Sequence, residues 1–197
     1  MGEALKQALE RHLDEEPPRL DFSVPLDRLA DSAHCKTLSD DILRAAPNGW
    51  EMVKATQSAW QKIPPTPGLY MFVWQPAFEL TVATSSHARR TFPFILYVGK
   101  AGDGKNRNTL RSRYKGEYSK LVARDPERLW GKNALNTRED RLQRYLNLAP
   151  LWFWYCEVEE AASIDSLERR LFALFAPPLN TSGSPRLRAV GKPKPAF

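Results

Sequence analysis

The sequence predicts an α/β protein of the α+β kind. It has a small, mostly antiparallel three-stranded central sheet flanked by helices, and a mainly helical N-terminal extension. Three observations predict this. Residues 68–74, 94–99 and 151–158 are short apolar runs rich in aromatic and β-branched side chains, and Pro67 and Gly99 bound the first two with turn formers. Amphipathic segments near 109–122 and 164–176 alternate with these runs, which is how helices come to cover a sheet. The chain has 197 residues, 42% hydrophobic and 26% charged, enough for one domain with an extension and a real core.

In chain order, Leu5, Leu9 and Leu13 give residues 3–15 a helical apolar stripe, which Pro17-Pro18 ends. Residues 20–37 read as irregular. Ser39 is placed to cap a short helix over 40–46, and Asn48-Gly49 makes a turn. Trp50, Met52, Val53 and Trp60 are expected to pack on the core. No catalytic constellation lies in 1–60, so this extension reads as a structural cap, a dimer surface or a DNA-recognition element. Residues 61–183 form the main domain, and 184–197 a basic flexible tail. Within the main domain, residues 78–82 continue the first strand or form another, and 83–92 read as an exposed basic loop. Thr109 is placed to cap the first helix of the domain, and Leu110, Tyr114 and Leu121 mark its buried side. Thr137 with Asp140 resembles another helix start. The aromatics of 151–158 predict a strand buried on both faces. Ser163 or Asp165 opens the last helix, with Leu167, Leu171 and Leu174 as its core stripe and Glu168 at the edge; Pro177-Pro178 ends it.

The net charge is +6, and between Lys100 and Arg144 there are 13 Lys or Arg against 6 Asp or Glu, a local excess of +7. That concentration favours a polyanionic partner such as nucleic acid. Arg138, Arg141 and Arg144 recur at i, i+3 and i+6 and make either a solvated face or a track for phosphates. Cys35 and Cys156 lack metal-ligand spacing and read as free thiols in a reducing compartment. No signal peptide or membrane span is visible, so the expected location is the cytoplasm. The loop after Lys100 lacks the GxxxxGK[ST] pattern, which excludes a phosphate-loop nucleotide site.

Gly68-Leu69-Tyr70, then Leu96-Tyr97-Val98-Gly99-Lys100, then a basic helix carrying Leu110-Arg111-Ser112-Arg113, resemble the GIY-YIG nuclease domain, and its type II restriction endonucleases most of all. Glu168 on a late helix and Asn180 after Pro177-Pro178 fit the same resemblance, which covers about residues 67–181. It implies a divalent-metal-dependent DNA endonuclease in a restriction or phage-defence system. The alternatives are a structure-specific repair, recombination or mobile-element nuclease, and an inactive nucleic-acid-binding module. The implied catalytic residues are Tyr70, Tyr97, Lys100, Arg113, Glu168 and Asn180. Glu168 is the implied ligand for Mg2+, with Mn2+ as a substitute. One tyrosine activates water, and the resemblance does not say which.

Contacts to the double-stranded DNA that the resemblance implies are expected from Arg89 and Arg90 in the basic loop, and from Lys105, Arg107, Arg111, Lys115 and Tyr118 around the basic helix. Arg138, Arg141 and Arg144, with Arg186 and Arg188 in the tail, complete the set. A single site cuts one strand, so double-strand cleavage of a palindrome requires a homodimer. In one place the chain departs from the family, which often has His or Tyr four residues after the arginine. Here that position is Glu117, followed by Tyr118. Either the helix register shifts, or Tyr114 or Tyr118 takes the role by another route.

Overall fold

A computed structural model describes residues 6–7, 10, 20, 22, 24–81, 89–104, 107–122 and 138–180, without the side chains of 81, 89–90 and 138–140. Its helices are α1 (Leu26–Leu29), α2 (Ser32–Ala45), α3 (Leu110–Arg113), α4 (Arg138–Tyr145) and α5 (Ala161–Phe175). The strands are β1 (Glu51–Lys54), β2 (Gly68–Trp74), β3 (Glu79–Thr81), β4 (Arg89–Thr91), β5 (Phe94–Ala101) and β6 (Leu151–Glu157). The α+β class is as predicted. The main sheet has four strands in the order β1-β6-β2-β5, every pair antiparallel, where three were expected. The three apolar runs are β2, β5 and β6, and β2 lies between the other two. The amphipathic stripe of 3–15 and the tail 184–197 lie largely or wholly outside the described residues.

β2 is apolar throughout because both of its faces are covered. Successive side chains point to opposite faces. Leu69, Met71 and Val73 join Leu38 and Ile42 of α2 and Ile164, Leu167 and Leu171 of α5 in one core. Tyr70 and Phe72 face the other way, into a core with Leu110, Tyr114, Tyr118 and Phe153. A bulge shifts the β2–β5 register between Phe72 and Val73, so that Phe72 lies opposite Tyr97 and Val73 opposite Ile95. The residue between them, Leu96, therefore shares a core with its neighbour Tyr97.

Several expectations are corrected. Residues 20–37 are not irregular: α1 and most of the first half of α2 lie there. Asp31, whose carboxylate accepts from the His34 N–H at 2.9 Å, caps α2, and Ser39 sits inside the helix. Met52 is 61% exposed, because it lies on the edge strand β1; Val53, Trp50 and Trp60 do pack on the cores. Residues read as an N-terminal extension thus supply a strand of the main sheet. Residues 79–81 form a separate strand that pairs with β4, so part of the expected basic loop is a hairpin arm; residues 82–88 lie outside the described set. α5 begins at Ala161, ahead of Ser163 and Asp165, and ends with Ala176 in the left-handed conformation, just before Pro177-Pro178. Thr137 is outside the described residues, and α4 follows directly. Among the described residues no helix is long and apolar enough to cross a membrane.

β5 is an edge strand, and the chain after α5 covers that edge. The Leu179 N–H donates to the Leu96 carbonyl at 3.0 Å. The Asn180 amide then takes both main-chain groups of Val98, accepting from its N–H at 2.9 Å and donating to its carbonyl at 2.7 Å. An edge strand held this way is closed to pairing with another chain.

Candidate active site

Adjacent antiparallel strands set Tyr70 directly opposite Gly99. The glycine is required there by space: a Cβ at 99 would lie 2.5 Å from both Cζ and Oη of Tyr70. The phenol crosses over β5 at that gap and reaches Tyr118, with 2.7 Å between the two hydroxyl oxygens. Tyr97 stacks beside it, ring centroids 6.2 Å apart. Tyr70 is 0% exposed and Tyr97 7%. Burial pushes the Tyr70 hydroxyl well above the ordinary phenol range; the nearby Tyr97 raises it further, and Arg113 and the Tyr118 bond pull it only part of the way back. Burial likewise raises Tyr118. Gly99→Ala should therefore lower stability by about 1–3 kcal/mol, since the tightly packed Tyr70 ring must move. An unchanged urea midpoint would show that the gap at Gly99 is not needed.

The structure settles the register question after Arg113. Thr109 caps α3, its hydroxyl accepting from the Ser112 N–H at 3.2 Å, as expected. The helix then widens into a π-helical turn, Tyr114–Tyr118, in which the Ser119 N–H reaches the Tyr114 carbonyl five residues back at 2.9 Å. Such turns hold one extra residue. That extra residue brings Tyr118, five places after Arg113, to the Tyr70 hydroxyl. Glu117 becomes the partner of Arg113, with its carboxylate accepting from the guanidinium. Tyr114 is not in the site, and its hydroxyl donates to the Thr56 carbonyl at 2.9 Å. Deleting the exposed Gly116, whose Cα has open space around it, should convert the π turn to α and leave Tyr118 four residues after Arg113. Folding and the Tyr70–Tyr118 contact should survive. A deletion variant with the stability loss of Tyr118→Phe would count against this account of the turn.

On the other side of β5, Lys100 meets α5. Its ammonium donates to Asp165 and lies 3.1 Å from Asp103 and 3.4 Å from Glu168. Asp165 and Glu168 are three apart on α5 and so share a face. Glu168 is at the edge of the Leu167, Leu171, Leu174 stripe, with its side chain 22% exposed. Burial raises its carboxyl above the usual range, while Lys100 and Arg113 pull it down. The Arg113 charge therefore lowers both the Tyr70 phenol and the Glu168 carboxyl. Burial works against the Arg113 charge, but Tyr70, Glu117 and Tyr118 outweigh it and the guanidinium is held charged. Asn180 braces the Val98 main chain.

Sequence reasoning missed Asp103, the contact of Asp165 with Lys100 and the pairing of Glu117. The three-residue spacings Lys100–Asp103 and Asp165–Glu168 were the available signals. Among the expected DNA contacts, Tyr118 is corrected: it is wholly buried, its ring packed on Tyr70, Phe72 and Tyr114 and its hydroxyl bonded to Tyr70. Arg111 is half-buried and donates to the Ile63 carbonyl at 2.7 Å. Arg107 is exposed, and so is Lys115, whose ammonium lies 4.3 Å above the Trp60 ring. Arg141 and Arg144 are half-buried on α4, beside the buried Leu142 and Tyr145. Lys105, Arg186, Arg188 and the side chains of Arg89, Arg90 and Arg138 lie outside the described set.

Comparison of the chain with protein-family models, with curated proteins and with solved structures gave no match.

Proposed function

We propose that the chain is a divalent-metal-dependent DNA endonuclease of the GIY-YIG kind, acting in the cytoplasm as a site-specific type II restriction or phage-defence enzyme. One observation carries this reading: Tyr70, Tyr97, Lys100, Arg113 and Glu168, named from the sequence motifs, meet around one end of β5. A charge-bearing site of this composition suits a phosphodiester, which needs its oxygens neutralised and a water deprotonated.

The residues present fit a divalent cation. The carboxylates of Asp103, Glu117, Asp165 and Glu168 exceed the cations Lys100 and Arg113 by two, a balance that one such ion restores. Glu168 would hold it. Among the described residues no three His, Cys, Asp or Glu side chains converge to enclose an ion, so a bound Mg2+ would draw further oxygen ligands from water and substrate. Bound there, the ion supplies Lewis acidity to the phosphate and the leaving oxygen.

The chain's own groups do the rest. The Arg113 fork suits two phosphate oxygens. It is preloaded against Glu117 and exchanges that carboxylate for the phosphate. Tyr70, held neutral by burial, orients the site through its bond to Tyr118. Tyr97, the less enclosed phenol, is assigned to the attacking water. Two copies of the chain would be needed to cut both strands of a palindrome.

Incubation with plasmid and Mg2+ tests the reading. Discrete fragments are expected. Cleavage confined to branched or flapped DNA would replace it with a structure-specific nuclease, and binding without cleavage would leave an inactive module. DNA affinity should also fall steeply with salt, and changing Arg138, Arg141 and Arg144 together should flatten the log–log slope by about two to three. An unchanged slope would make this row an ordinary protein face.

A further inference from the structure

Lys100 has more carboxylates around it than one ammonium needs. Its hydrogen bond goes to Asp165, its second contact is Asp103 at 3.1 Å, and Glu168 is the most distant of the three at 3.4 Å. The ammonium is therefore shared among all three carboxylates, with Asp165 its nearest partner and Glu168 still in ion-pair contact. Two elements set this up. Asp103 lies three residues along the loop that leaves β5, just past Gly102, whose φ of +74° turns the chain back toward Lys100. Asp165 lies one turn before Glu168 on the same face of α5.

We propose that Asp165, helped by Asp103, is a positioning residue that draws the Lys100 ammonium off Glu168 and so leaves that carboxylate open to a divalent cation. The inference rests on the assignment of Glu168 as the metal anchor. The chemistry is a competition. An ammonium resting on Glu168 and a divalent cation on the same oxygens repel one another and vie for the same lone pairs. With Asp165 and Asp103 present, Lys100 keeps two anionic partners when Glu168 is taken, so no charge is stranded. With Asp165 neutralised, the nearest remaining carboxylates are Asp103 and Glu168, and the ammonium leans on the residue the metal needs. Asp165 therefore acts through Lys100 and need not touch the ion.

The test is Mn2+ binding to the full chain without DNA, measured by calorimetry in a double-mutant cycle. Asp165→Asn should weaken Mn2+ binding by about fivefold or more, and Lys100→Met should tighten it, because the competing charge is gone. In the Lys100→Met background, Asp165→Asn should change the affinity by less than about twofold. Glu168→Gln should weaken binding by about tenfold or more in both backgrounds. An equal loss from Asp165→Asn with and without Lys100 would make Asp165 a direct ligand or a plain electrostatic neighbour, and would overturn the positioning role. So would an Asp165→Asn variant that binds like the wild type while Glu168→Gln remains impaired. Equal binding by the wild type and Glu168→Gln would sink the metal assignment itself, which is a different failure.

Discussion

Glu168→Ala is expected to abolish DNA cleavage while folding and DNA binding persist. The side chain lies at the edge of the α5 stripe, half-buried rather than inside the core, so its loss opens no large cavity. Alanine is also the better helix former. Lys100 keeps Asp165 and Asp103 as partners, so no ammonium is left unpaired in a half-buried place. One negative charge beside a polyanion disappears, and binding should hold or tighten. What is lost is the carboxylate proposed to anchor the ion, and with it several kcal/mol of transition-state stabilisation. Since about 1.4 kcal/mol is tenfold in rate, cleavage should fall by more than roughly a hundredfold. Rates measured on a long duplex in Mg2+, with thermal unfolding and a binding titration alongside, separate these outcomes. Near-wild-type cleavage by the variant would remove Glu168 from the chemistry.

The strands that could be read from the sequence are those buried on both faces. β2 and most of β5 are continuous apolar runs because helices cover the sheet on both sides, and no alternation was needed to see them. β1 was missed for the opposite reason. Glu51-Met52-Val53-Lys54 sits at the sheet edge with only Val53 even half-buried, and such a stretch carries no strand signature. β3 and β4 are three residues each, too short for a period to show. α2 was half-read, since its buried residues, Leu38 and Ile42, both lie in its second half. The first two turns are polar, and Ser39 before two aspartates imitated a cap that Asp31 in fact provides.

The site divides along the same line. Tyr70, Tyr97, Lys100, Arg113 and Glu168 were legible because motif order stands in for three-dimensional neighbourhood. Tyr118 was legible only as one of two candidates beside Tyr114, because its place depends on a π turn, and an inserted residue has no signature until the helix around it is seen. The carboxylates around Lys100 escaped notice because each has an ordinary local reading, Asp165 as a helix opener and Asp103 as a loop residue. Asp103 reaches Lys100 through the turn at Gly102, and the packing of α5 on the end of β5 adds Asp165 to the same ammonium.

Arg113→Ala should also stop cleavage, with a different binding signature. In the free protein the guanidinium pairs with Glu117 and helps to stabilise both Tyr70 and Glu168. Its removal takes the guanidinium from the partly solvated Glu117 carboxylate and withdraws the positive charge that faces the phosphate. Cleavage should fall by more than roughly a hundredfold, as for the loss of other groups that stabilise developing charge. DNA affinity should fall too, by several-fold at low salt, and with a shallower salt dependence. Arg113→Lys keeps one charge but not the planar fork, so it should recover much of the affinity and little of the rate. Stability should drop only modestly, because the Arg113–Glu117 pair is partly solvated. The decisive comparison is between the two alanine variants under one set of conditions. Glu168→Ala should bind at least as tightly as the wild type, and Arg113→Ala less tightly, with both inactive. If Arg113→Ala binds DNA like the wild type, the guanidinium does not hold the phosphate, and its part in the site reduces to its contacts with Glu117 and Tyr70.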